Sequence, residues 1–108
     1  MIKVDELTAL CGDDEAMVKM VLTLYLEEYG ESHTIIQHRY QHDDIDGLFQ
    51  IAHELKGMFS NLCAKDAMNL AQEVESTSKS GTPPLQSSIG NLCSEIQAIN
   101  QQIQTILQ

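Results

Sequence analysis

The chain has 108 residues, of which 43% are hydrophobic, and this composition suits one small domain with a single core. Sixteen acidic residues against six basic ones give a formal net charge of −10, so nucleic acid and anionic lipid are poor partners. No apolar run approaches the ~20 residues of a membrane-spanning helix, and the N-terminal residues lack a signal-peptide pattern. We therefore expect one cytoplasmic domain over residues 1–108 without direct membrane contact.

The cysteines exclude two classes of small domain. Cys11, Cys63 and Cys93 lie far apart in the sequence and form no CxxC pair. An odd, scattered set argues against a disulfide framework and against a zinc site. We expect three reduced thiols packed in the core.

The first 40 residues predict a short helix followed by a long one. Residues 4–11 are expected to form the short helix, with Val4, Leu7 and either Ala9 or Leu10 facing inward. Asp13 is the predicted N-cap of the long helix, which runs from about Asp14 to Tyr40. Its apolar stripe consists of Val18, Val21, Leu22, Tyr25, Leu26, Tyr29, Ile35 and Ile36. Gly30 lies inside this helix and marks a possible bend.

Three more helices follow. The polar turn "QHDDIDG" offers Asp43 or Asp44 as a cap for a helix from about Ile45 to Leu62. Residues 64–76 form a further helix, and the Ser-, Gly- and Pro-rich residues 76–84 form a loop. The last helix begins near Pro84. Its apolar residues, spaced 4-3-4-3-4-3, are Leu85, Ile89, Leu92, Ile96, Ile99, Ile103 and Ile106.

The expected fold class is all-α, because no segment alternates with the period of a strand. Four substantial helices joined by short loops predict an antiparallel four-helix bundle, with the short N-terminal helix covering one end. The heptad spacing of the last helix also fits a coiled-coil seam between molecules. A core stripe is the preferred interpretation, but a helical interaction or dimerisation module without phosphorylation stays open as a second function.

The segment "AHELKG", residues 52–57, combines an ionisable pair with a helix-interior glycine, which costs about 0.5–1 kcal/mol relative to alanine. On a helical wheel His53 lies roughly 140° from the apolar stripe of its helix, and Gly57 roughly 180°. His53 should therefore be exposed, with a gap at Gly57 one turn later and Lys56 within reach. An accessible imidazole beside a cation suits phosphoryl acceptance, although a lone exposed histidine is often merely solvated.

These residues closely resemble the histidine-containing phosphotransfer (Hpt) domain family, over almost the whole chain. Residues 24–37 look like the first bundle helix of the family, residues 42–57 like its turn and phosphorylated helix, and residues 64–75 like the next helix. The resemblance implies that His53 is phosphorylated, that Lys56 is the supporting cation and that Gly57 gives access. It also implies that Glu75 orients the imidazole. The alternative for Glu75 is a solvated acid at a helix end.

The resemblance further implies a phosphocarrier without kinase activity of its own. Its partners would be the receiver domain of a response regulator and a sensor histidine kinase of the simple or the hybrid type, with the catalytic Mg²⁺ bound by the receiver. Phe49, Gln50, Met58 and Ser60 are the expected partner-binding residues around the histidine. Two departures from the family pattern are Cys63, where a glycine usually ends the helix, and the bulky pair Met58 and Phe59. We expect Asn61 to take the left-handed conformation instead.

A metal site is the remaining alternative. His38 and His42 are one turn apart, near His33, Asp43 and Asp46, and such a histidine pair can bind a metal. The pair lies at a polar helix end without the usual spacing of a third ligand. The chain also contains no Glu-x-x-His, the motif of di-metal bundles. We therefore expect no metal and no cofactor in this domain.

Overall fold

Six helices and no strand make up the chain in the computed structural model, which describes residues 1–108. The helices are α1 (Val4–Leu10), α2 (Glu15–Tyr29), α3 (Ser32–Gln41), α4 (Ile45–Asn61), α5 (Lys65–Lys79) and α6 (Gln86–Leu107). None of them combines the length and the apolar character needed to cross a membrane. The predicted all-α fold class is confirmed.

Helices α3 to α6 form the predicted antiparallel four-helix bundle. Around the bundle α3 packs on α4 and α6, and α5 packs on the same two helices. Three-residue connections before and after α4 make it antiparallel to both of its sequence neighbours. The segment before α1 lies at the corner between α4 and α5, where the backbone N–H of Lys3 donates to the carbonyl of Cys63 at 3.1 Å. The short helix therefore begins at one end of the bundle.

The long helix expected from Asp14 to Tyr40 is in fact two helices, separated at Gly30 and Glu31. A Cβ at residue 30 would lie 2.5 Å from the carbonyl oxygen of Leu26, so the chain passes this point only because residue 30 is glycine. The break leaves the carbonyl of Gly30 without a helical partner. The side-chain amide of Asn100 on α6 donates to that oxygen at 2.8 Å and so fastens the break to the bundle.

The predicted N-cap is wrong at α2 and right at α4. Asp14, not Asp13, is the N-cap of α2, and its carboxylate accepts from the backbone N–H groups of Ala16 and Met17. Asp13 instead takes a left-handed conformation with φ 59° in the turn before it. At α4 the carboxylate of Asp44 accepts from the N–H of Gly47 at 2.9 Å, which confirms one of the two predicted caps.

The core is aliphatic, as the composition predicts. Its fully buried members include the predicted stripe of α6, with Leu92, Ile96, Ile99 and Ile103 at 0% exposure. Tyr25 and Phe59 add the only two large aromatic groups among the buried residues, and their rings lie 6.0 Å apart. The heptad of α6 therefore faces the interior of its own bundle.

Ala9 and Leu10, the two alternatives predicted to face inward on α1, are both exposed, and so are Ile35 and Leu85. Leu85 precedes α6 as an extended N-cap residue, since the helix begins at Gln86 and not near Pro84. Ile35 and Ile36 are about 100° apart on their helix, so only one can point into the core. The structure places Ile36 there, at 0% exposure. On α1 the inward residues are Leu7, which is buried, and Val4, which is half-buried.

Candidate functional site

Helix α4 has one apolar face and presents His53 on the other side. Leu48, Ala52, Leu55 and Phe59 are fully buried in the core, as the wheel predicts. The side chain of His53 retains 64% of its exposure. Its imidazole therefore lies at the surface while its helix is held firmly by the core.

Helix α5 places a carboxylate beside this imidazole. Ala71, Val74 and Ser78 face the core, and Glu75, next to Val74, is largely buried at the border between α4 and α5. The carboxylate oxygen Oε2 of Glu75 forms a hydrogen bond with Nδ1 of His53. An ionised carboxylate accepts only, so Nδ1 carries the proton and donates it. In the neutral ring Nε2 then keeps a free lone pair.

Lys56 completes the site from the same helix as His53. Its Nζ donates to Oε1 of Glu75 at 2.6 Å, and its side chain is 32% exposed. Burial raises the pKa of Glu75, but the hydrogen bonds from Lys56 and His53 outweigh this and hold that pKa below its ordinary value. Glu75 is therefore ionised at neutral pH and binds both α4 side chains at once.

Gly57 leaves open space beside the imidazole. A Cβ built at residue 57 would meet no other atom within 4 Å. One turn before His53 the ring of Phe49 stacks on the imidazole, with 6.0 Å between centroids and 20° between planes. The imidazole thus has an aromatic neighbour on the N-terminal side and an empty approach on the C-terminal side.

The other residues expected to bind a partner surround this site. Gln50 and Ser60 are exposed, and Met58 is half-buried and packs against the core cluster. Helix α4 ends at Asn61, and the left-handed residue is Cys63 itself, with φ 56°, so the prediction for Asn61 is wrong. Cys63 thus adopts the backbone conformation that a glycine would supply at this corner.

The histidine pair one turn apart on α3 has a different arrangement. The rings of His38 and His42 stack at 4.2 Å, and Nδ1 of His42 lies 2.8 Å from the carbonyl oxygen of His38. No group of three or more His, Cys, Asp or Glu side chains in the structure has an arrangement that could hold a metal ion. All three cysteines are free thiols, with Cys93 buried and the other two half-buried.

Comparison with known protein families shows to which family this chain belongs. The model of the Hpt domain matches residues 20–106, which is most of the chain. The chain belongs to the Hpt domain family. Comparisons with curated proteins and with solved structures give no match. Hpt domains serve histidine phosphotransfer in phosphorelays, act as phosphocarriers and not as kinases, and interact with receiver domains in two-component systems.

The contact between Lys56 and Glu75 is the feature of the site that sequence reasoning missed. The sequence predicts Lys56 in the space beside His53, and it predicts Glu75 as a partner of the imidazole or, alternatively, as a solvated acid at a helix end. The two residues are 19 positions apart on different helices, and no local spacing signals their contact. Only the close packing of α4 against α5 brings them together.

Proposed function

We propose that this Hpt domain carries a phosphoryl group on His53. It receives the group from the phosphorylated aspartate of one receiver domain and passes it to a response-regulator receiver. The observation that carries the proposal is an exposed imidazole with Nδ1 bound to a buried carboxylate and open space beside it at Gly57. A merely solvated histidine would not need a buried, charged partner from a second helix.

The transfer step follows from this geometry. The Nε2 lone pair of His53 attacks the phosphorus of the aspartyl phosphate, a P–N bond forms and the P–O bond to the aspartate breaks, which releases the carboxylate. Positive charge develops on the ring as Nε2 bonds to phosphorus, and the carboxylate of Glu75 stabilises it through Nδ1–H. Transfer to the next receiver is the same step in reverse. The Mg²⁺ that assists it belongs to the receiver.

Lys56 would act on the phosphoryl oxygens. An ammonium group has three N–H donors, and the contact with Glu75 uses one of them. A phosphoryl group on Nε2 brings further negative charge next to the carboxylate of Glu75. Lys56 offsets the charge of that carboxylate, and this lowers the cost of placing the phosphoryl charge in the same site.

The structure weakens the second candidate, a helical interaction or dimerisation module without phosphorylation. That candidate depended on the heptad stripe of α6 as a seam between molecules. Ile96, Ile99 and Ile103 are fully buried within their own bundle and offer no surface to another chain. The proposed phosphocarrier works in the cytoplasm, between a sensor histidine kinase and a response regulator.

Phosphoryl labelling tests the proposal. With phosphorylated receiver domains and Mg²⁺, the protein should gain one phosphoryl group that is labile in acid and stable in base. His53→Gln should abolish the label, and His38→Gln, a change at another exposed helical histidine, should retain it. Both variants should keep the wild-type circular dichroism spectrum. Labelling that persists in His53→Gln, or no labelling by any receiver of a broad panel, would reject the proposal.

A further inference from the structure

A cavity of about 240 Å³ lies at the corner where α4 turns into α5. Its lining combines apolar side chains and charged ones and consists of Lys3, Glu6, Phe59, Ser60, Cys63, Ala64, Lys65 and Met68. The bond from the N–H of Lys3 to the carbonyl of Cys63 fixes the N-terminal segment against this corner. The cavity is thus built by three segments of the chain and not by one flexible loop.

The cavity shares a face with the imidazole. Ser60 lies seven residues after His53 on α4, and Met68 lies seven residues before Glu75 on α5. Seven residues make nearly two helical turns, so each pair lies on one face about 10 Å apart. Even a small protein interface covers about 600 Å² on each partner, which corresponds to a radius of about 14 Å. A receiver domain centred on His53 therefore also covers the cavity.

The charges at the cavity differ from those of the chain as a whole. The chain has a formal net charge of −10 and only six basic residues, of which the cavity includes Lys3 and Lys65. Glu6 is the one acidic residue in the lining, and its carboxylate lies 3.9 Å from the Nζ of Lys3. The lining thus keeps one net positive charge on a strongly acidic molecule. The lysines of the cavity therefore attract an acidic group that approaches this surface.

We propose that the cavity is a second contact point for the receiver domain and takes an acidic side chain from it, with Lys65 and Lys3 as the recognising cations. The proposal rests on the proposed function of His53 and adds how the partner is held. The volume favours this occupant, because pockets for small-molecule ligands hold about 300–1,000 Å³ and this one is smaller. Neither lysine contacts His53, so the cavity affects docking and not the chemical step.

Binding measurements on a charge-matched pair of variants test this inference. Lys65→Ala removes the cavity cation that has no acidic partner, and Lys19→Ala removes an exposed lysine of α2 that lines neither the cavity nor the site. Both variants change the net charge equally, so the long-range repulsion is the same. The probe is the receiver domain that binds the wild-type protein most tightly, measured by titration calorimetry at about 50 mM and about 500 mM salt.

The cavity variant should bind about 2- to 5-fold more weakly at low salt, as expected for the loss of one exposed charge contact. The control variant should change less than about 2-fold, and the difference between the two should shrink at high salt. At saturating receiver the transfer rate of both should equal that of the wild type. Equal affinities of the two variants would overturn the inference and leave labelling of His53 intact. Absence of labelling in the wild type would instead overturn the proposed function.

Discussion

Replacing Gly57 with leucine should separate helix stability from phosphoryl transfer. Residue 57 lies inside α4, where a leucine is favoured over glycine by about 0.6–0.8 kcal/mol. A Cβ there meets nothing within 4 Å, so no clash offsets this gain. For a domain of this size the midpoint of thermal unfolding should rise by about 3–5 °C. The added side chain nevertheless fills the approach to His53 from one turn away.

Transfer in this variant should slow by about 100-fold, since a displacement of about 1 Å between reacting groups has an effect of that size. The assay is rapid-quench measurement of phosphoryl loss from a labelled receiver, beside thermal unfolding followed by circular dichroism. Gly90→Leu is the matched control, because residue 90 is an exposed glycine inside α6 with equally open space around it. It should raise the midpoint similarly and leave transfer unchanged. Wild-type transfer in Gly57→Leu, or equal slowing in both variants, would refute the access argument.

Three further predictions concern charge, pH and the helix break. The pKa of Glu75 in the folded protein lies below its ordinary value of 4.5. The hydrogen bonds of the Glu75 carboxylate therefore stabilise the fold fully above pH 4.5, and this stabilisation is lost as the pH falls through the lower pKa of the folded protein. Glu75→Gln should therefore show a smaller drop in unfolding midpoint than the wild type between about pH 6 and about pH 3; an equal drop would show that the bonds add no stability. Lys56→Ala should slow transfer about 10-fold in the rapid-quench assay without changing the helical signal, and unchanged transfer would exclude it from the step. Gly30→Ala should lower the free energy of unfolding in urea by about 1–3 kcal/mol, because its Cβ would press on a backbone oxygen, whereas Gly90→Ala should raise it. A stable Gly30→Ala would mean that the break does not require glycine.

Within one helix, the sequence predicts the site well. The 100° rotation between successive residues places His53 and Gly57 opposite the buried Leu48, Ala52 and Leu55, and the structure agrees. The same reasoning fails where the chain leaves the helix. The apolar period continues through the break at Gly30, so α2 and α3 look like a single helix in the sequence. What distinguishes residue 30 is its close approach to the carbonyl oxygen of Leu26, which the periodicity does not reveal. Cys63 takes a left-handed conformation that residue type alone does not predict.

The pairing of Lys56 with Glu75 illustrates a second limit. Both residues are surface-type side chains at helix positions that local periodicity assigns to solvent or to the rim of the core. Their contact depends on the rotation and the distance between α4 and α5, which are set by the apolar side chains between them. Glu75 is 8% exposed because it lies on that border, and a carboxylate so placed needs partners.

By itself the sequence determined the helical class of this protein, the bundle and the exposure of His53, because these depend on periodicity and on the balance of apolar and polar residues. The tertiary structure decided which side chains meet across helices. The Glu75 carboxylate binds His53 and Lys56 on α4, which are 22 and 19 positions away in the sequence. The cavity near Ser60 is lined in part by Lys3 and Glu6 of the N-terminal segment. Such contacts depend on how whole helix faces pack against each other. A small shift or rotation of one helix against the next changes which side chains meet, and the local sequence pattern does not predict it.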